Sequence, residues 1–166
     1  ETRQSERRNV RAGVSLSLDV DPVVFAIRRG DVEAVNDLAA SAPHSLLKEN
    51  KDGWIPLHDA AYCGQAECLR TLLRAGAAIN PPNTYSITPL TVAAQQGQMR
   101  ALCYLIEKGA DVNMQTCDGV TALHEASKNG HKEIVAVLLT KNADANKPTN
   151  SGLLPLHIAA QYGHHE

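Results

Sequence analysis

A 33-residue period runs through this chain and constrains its fold more than any other feature. Gly64, Gly97, Gly130 and Gly163 keep that spacing, and so do Leu57, Leu90, Leu123 and Leu156. The repeated text reads PLHDAAYCGQ, PLTVAAQQGQ, ALHEASKNGH and PLHIAAQYGH, and the first three copies continue into an apolar CLRTLL, LCYLIE or IVAVLL. A unit this short cannot bury its own apolar face, so the copies must stack and share one core. The 166 residues are therefore better counted in repeats than in ordinary domains.

The period and the P-L-H-x-A text resemble the ankyrin repeat, whose signature carries T-P-L-H-x-A at 33 residues. The resemblance implies an all-α solenoid of stacked helix-turn-helix units joined by projecting β-turn loops. It divides the chain into a polar arm (1–20), an N-terminal capping repeat (21–50), repeats 2 (51–83), 3 (84–116) and 4 (117–149), and a truncated repeat 5 (150–166). The arm is rich in Arg, Ser and Asn and lacks a sustained period, which predicts disordered or extended chain. Its Arg3, Arg7, Arg8 and Arg11 stand among Glu1 and Glu6, as expected of a solvated arm rather than a binding tail.

A helix is predicted to start at Asp21, a good N-cap followed by Pro22 and the apolar set Val23, Val24, Ala26 and Ile27. Gly30 lies 34 residues before Gly64, and the extra residue is expected in SAPHSLLKENKDG, where Pro43, Asn50 and Gly53 break regular structure. In repeats 2 to 4 the first helices are predicted over 57–63, 90–96 and 123–129, and the second over 66–75, 99–108 and 132–141. The periodic glycine between them can take the left-handed conformation that reverses the chain. Gly76, Gly109 and Asn142 end the second helices, Asn being the next-best residue for that geometry. Asn80, Asn113 and Asn146 then open the loops, where Pro81, Pro82 and Pro148 do least harm.

The pairs Ala60/Ala61, Ala93/Ala94, Ala126/Ser127 and Ala159/Ala160 permit close helix approach, and Leu72/Leu73, Leu105/Ile106 and Leu138/Leu139 are expected to fill the space between layers. Thr88 and Thr121 can cap the first helices with a side-chain oxygen, whereas Ile55 and Leu154 hold the same phase and cannot. Restoring a cap with Ile55→Thr is expected to stabilise unless Ile55 is packed.

A net charge of −2 argues against a nucleic-acid clamp, which needs clustered Lys and Arg. No run of 18 apolar residues and no signal-peptide core appears, so the expectation is neither membrane insertion nor secretion but a cytoplasmic protein, with the nucleus also open to it. Cys63, Cys68, Cys103 and Cys117 lack the paired close spacings of a zinc site and are read as reduced thiols, with Cys68 in the core and Cys63 on the surface. His58, His124 and His157 recur in phase, but the resemblance implies that each bonds to the neighbouring loop, with Thr91 replacing one of them. Adjacent repeats stand about 8–10 Å apart, too far to share one ion. His164 and His165 beside Glu166 are read as a frayed end. No nucleophile elbow, phosphate-binding glycine loop or HExxH motif is present, so neither a catalytic constellation nor a cofactor is expected.

What remains is a binding surface for another protein. After each loop tip stands one apolar residue, Trp54, Ile87, Val120 or Leu153. These side chains either lean on one another and stiffen the loops or form a strip for a partner, and the two roles are compatible. Trp54 is the best anchor, since Trp is enriched at energetic hot spots. Next come the last residues of each first helix, Tyr62, Cys63, Gln95, Gln96, Lys128, Asn129, Gln161 and Tyr162, with Tyr85 at a loop tip. The ankyrin resemblance implies that these phases face a concave groove that binds proteins. Their lining, charged only at Lys128, suits a peptide better than a phosphate backbone.

KDGWIPLHDAAYCGQAECLRTLL and SGLLPLHIAAQYGH further resemble the ankyrin and SOCS-box family. That likeness implies repeats that hold a target for ubiquitination, with a SOCS box outside this chain recruiting elongin and a cullin. The text stops inside repeat 5 without its second helix, so the natural protein is expected to continue beyond Glu166. Three readings follow: the substrate-recognition part of a ubiquitin ligase, a scaffold or anchoring module using the same groove without ubiquitin chemistry, and an enzyme whose catalytic domain lies elsewhere.

Overall fold

The computed structural model describes residues 21–81 and 85–165. The polar arm, Pro82 and Glu166 lie outside the described residues. The helices are α1 (Pro22–Arg29), α2 (Val32–Ser41), α3 (Pro56–Cys63), α4 (Ala66–Arg74), α5 (Pro89–Gln96), α6 (Met99–Glu107), α7 (Ala122–Lys128), α8 (Lys132–Thr140) and α9 (Pro155–Gln161), with a 3₁₀ turn at Pro43–Leu47. Among the described residues there is no strand. The helices form two layers. First helices α1, α3, α5, α7 and α9 stack in chain order, and second helices α2, α4, α6 and α8 form a looser row behind them.

Local chemistry explains the helix boundaries. Asp21 Oδ1 accepts the Val23 N–H at 2.9 Å, satisfying one of the unpaired amides at the start of α1. Thr88 does the same for Thr91 at 3.2 Å and Thr121 for His124 at 3.4 Å. The first helices of repeats 2 and 3 begin one residue earlier than the pattern predicts because Pro56 and Pro89 take the first helical position, where no amide proton is missed. Asn142 adopts φ 66°, the left-handed turn that the sequence assigns to it.

Gly97 meets two demands at once. Its φ is 72°, and a Cβ built there would lie 2.8 Å from Cε1 of His131 in the next repeat. His131 crosses that gap to place Nε2 3.1 Å from the Gln95 carbonyl, and Gln98 Nε2 donates in the same way to the Tyr62 carbonyl at 3.0 Å. The rung recurs once more, with His164 Nε2 3.1 Å from the Lys128 carbonyl. His164 is thus part of the inter-repeat bonding and not a frayed end, because it occupies the phase of Gln98 and His131.

The core runs through both layers. Leu57, Leu69, Leu72, Leu90, Leu102, Leu105 and Leu138 are fully buried, and the alanines of α3 and α5 have no accessible surface. The second member of each Leu pair is only partly buried, and Leu139 is 46% exposed, so one residue of each pair fills the interlayer space. Ala160 is exposed and Ala159 partly so. Ile55 is packed in the core at 6% exposure, which decides against a simple gain from a threonine cap. The segment expected to be a plain connection contains the 3₁₀ turn, which turns Leu46 into the core with no accessible surface. Two adjacent leucines in a short polar stretch carry no periodicity, so the pattern could not reveal that Leu46 is buried while Leu47 is exposed.

Candidate functional site

The loop tips are β-turns bonded to one another. Gly53, Gly119 and Gly152 N–H groups donate to the carbonyls of Asn50, Thr116 and Thr149. Cys117 N–H donates to the Tyr85 carbonyl and Asn150 N–H to the Asp118 carbonyl, each at 3.0 Å, so successive tips hold one another in line. Buried histidines tie this line to the first helices. His58 Nδ1 accepts the Ile55 N–H at 3.1 Å, which leaves the ring proton on Nε2, 2.7 Å from the Ile87 carbonyl. His124 repeats the arrangement with Thr121 and with the Leu153 carbonyl at 3.0 Å. Burial holds both imidazoles below the ordinary histidine range, outweighing the bonds to backbone that favour the charged form. Thr91 pairs within its own repeat, its hydroxyl 3.0 Å from that of Thr88.

The apolar row is only half buried at Trp54, Ile87 and Val120, and Leu153 is 37% exposed. The Trp54 ring stacks on His58, with centroids 5.2 Å apart, and tilts towards Tyr62 at 6.5 Å. Trp54 therefore braces its own repeat while keeping one face open. Tyr85 and Tyr162 are more than half exposed. Tyr162 receives Lys128 Nζ 5.7 Å from its ring centre. Gln95, Gln96 and Gln161 lie in solvent, and Asn129 turns back on its helix to donate to the Glu125 carbonyl at 2.9 Å. Cys63 is half buried rather than at the surface. Burial pushes its thiol up, with Asp59 adding to the effect and Arg28 opposing it.

Trp54, Tyr85, Ile87, Gln95 and Val120 converge on one recess of about 190 Å³, built by repeats 2, 3 and 4. Tyr62, Cys63, Gln96, Lys128, Asn129, Leu153, Gln161 and Tyr162 do not line it. Thr91, Val92, Thr116, Cys117, Asp118 and Glu125 complete the wall and were not among the partner-binding residues expected from sequence. Glu125 is the consequential addition. Its Oε2 is shielded from solvent and has no hydrogen-bond partner among the described residues, and burial raises its carboxyl above the ordinary range despite Lys128. A cleft of about 660 Å³ lies between α4 and α6, but its Arg70, Arg74, Arg100 and Lys108 are interspersed with Glu67 and Glu107, as on a solvated helix face. Among the described residues no helix is long and apolar enough to cross a membrane, and no group of three or more His, Cys, Asp or Glu is placed to hold a metal ion.

The family model for ankyrin repeats in three copies matches residues 23–116 and 90–166. This chain belongs to the ankyrin-repeat family. Ankyrin repeats are protein–protein interaction modules, which accounts for a surface built from loop tips and helix ends. Among curated proteins, this ankyrin-repeat chain is 48% identical to Ankyrin repeat and SOCS box protein 2 of Bos taurus over 60 residues, which is 36% of the chain and 9% of that protein. The Homo sapiens protein of the same name is 47% identical over 55 residues, 33% of the chain and 8% of the relative. Ankyrin repeat and SOCS box protein 3 of Bos taurus is 37% identical over 58 residues, 35% of the chain and 11% of the relative. The matched segments thus span about a tenth of these relatives.

Proposed function

We propose that this chain is the substrate-recognition region of a cullin-type ubiquitin ligase adaptor, and that it grips a protein target along its loop tips and first-helix ends. Elongin and a cullin would join through a SOCS box outside these residues, in the cytoplasm or the nucleus. The observation that carries the binding part is the recess in which Trp54, Tyr85, Ile87, Gln95 and Val120 from three repeats converge. An open aromatic face beside polar side chains is the make-up of an energetic hot spot. The ligase part draws its support from the likeness to the two ankyrin repeat and SOCS box proteins.

Affinity purification of the full-length protein tests the ligase part. Recovery of elongin with a cullin supports it, and their reproducible absence leaves a scaffold module working through the same face. With a recovered target in hand, Trp54→Ala and Tyr62→Ala should each weaken binding by about 1 kcal/mol or more while the fold persists. Unchanged affinity in both variants moves the binding surface elsewhere.

A further inference from the structure

Five residues before each periodic glycine stand Asp59, Val92, Glu125 and Ile158, so one phase carries an acid in repeats 2 and 4 and an apolar residue in repeats 3 and 5. At the first acid the preceding repeat supplies a cation. Arg28, two residues before Gly30, places Nη2 4.0 Å from Asp59 Oδ1. At the second acid the residue of Arg28's phase is Gln95, which is neutral. Glu125 Oε2 is shielded from solvent and has no partner among the described residues, and Lys128, one turn along α7, lies over the Tyr162 ring. Glu125 and Gln95 both line the recess, together with Trp54 and Tyr85.

We propose that this recess is a subsite for one arginine side chain of a protein partner, its guanidinium seated on the Glu125 carboxylate in the place that Arg28 takes on Asp59. The inference rests on the reading that this face binds proteins. A space of about 190 Å³ admits one side chain and falls short of the roughly 300–1,000 Å³ of small-molecule sites. An apolar occupant would cover the Glu125 carboxylate without supplying a counter-charge, and an acidic one would be repelled by Glu125 and Asp118. Arginine fits better than lysine because its planar fork matches a carboxylate, stacks on aromatic faces and gives up its weaker hydration more readily.

The test selects random linear peptides displayed on phage against the immobilised chain and measures the selected sequences as synthetic peptides. Peptides sharing one arginine are expected, and its replacement by the neutral isostere citrulline should weaken binding about tenfold or more. Glu125→Gln should cause the same loss for the arginine peptide and none for the citrulline peptide. Gln95→Arg, which supplies an internal cation, should also weaken the arginine peptide. Thermal melts establish that both variants remain folded. Selected peptides without a basic residue, or affinities within twofold across the citrulline and Glu125→Gln arms, overturn the arginine subsite. If such binding still falls with Trp54→Ala, the protein-binding face stands and only the subsite is lost. Binding indifferent to Trp54, Tyr85 and Glu125, or no selected peptide at all, counts against both.

Discussion

The junction of repeats 1 and 2 and the junction of repeats 3 and 4 put an acid at the same phase of the same helix and leave it in opposite states. Asp59, 5% exposed, has Arg28 across the junction, whereas Glu125 has a shielded oxygen without a partner among the described residues and Gln95 at the facing phase. Burial raises Asp59 to about 7, with Arg28 pulling it down and Asp21 pushing it up. Glu125 is raised by burial too, with Lys128 opposing. The backbone and its period are shared, so the difference lies in side chains: Arg28 against Gln95 in the preceding repeat, and Asp59 against the longer Glu125 at the phase itself. One junction is closed within the molecule, and the other opens into the recess.

The comparison holds only if the repeats stack in register, and Leu105→Ala tests that premise with the largest effect. Leu105 has no accessible surface, and its truncation should cost about 2–5 kcal/mol in a chemical melt. A loss under about 0.5 kcal/mol would break the shared phase on which the two junctions are aligned.

Next in size is Arg28→Met, which should destabilise by about 1–3 kcal/mol at pH 8, because without the cation that lowers it the buried Asp59 must either stay charged and unpaired or take up a proton. The folded carboxyl titrates at about 7 against 3.8 when free, so between these values the folded chain holds more protons than the unfolded one. Asp59 therefore supports the fold fully below pH 3.8 and progressively less as pH rises through 7. Repeating the melts at pH 5 should shrink the cost of Arg28→Met, and Asp59→Asn should remove the decline between pH 3.8 and about 7. His58 and His124 act with the other sign. Their lowered folded values mean that stability present above the ordinary histidine value of 6.5 falls as pH drops through it towards the folded values.

Glu125→Ile, which copies the apolar residue of repeat 5, should stabilise by about 1 kcal/mol at neutral pH by removing the unpaired oxygen. Destabilisation of that size would mean that Glu125 is paired in solution, and the contrast with Asp59 would disappear. The smallest effect is expected from Ile55→Thr. A new cap gains about 0.5–2 kcal/mol and loss of buried methyls costs about the same, so the melts should agree within about 1 kcal/mol.

The sequence by itself determined the repeat, the helix pairs, the caps at Asp21, Thr88 and Thr121, and the left-handed turn at Asn142. These depend on residues within a few positions of one another, and every copy restates the same backbone and packing demands. It also put Trp54, Tyr85, Ile87, Gln95 and Val120 on one face, since a regular stack converts phase into position. The tertiary structure alone decided which of the candidate residues share a recess, that His164 bonds back to the Lys128 carbonyl, that Ile55 is packed, and that Glu125 lacks the cation Asp59 has. Those outcomes turn on partners such as Arg28 and Asp59, or Gln98 and Tyr62, which stand about one repeat apart in the chain. Periodicity says what a position must be in its own copy, and only packing says what the next copy brings to it.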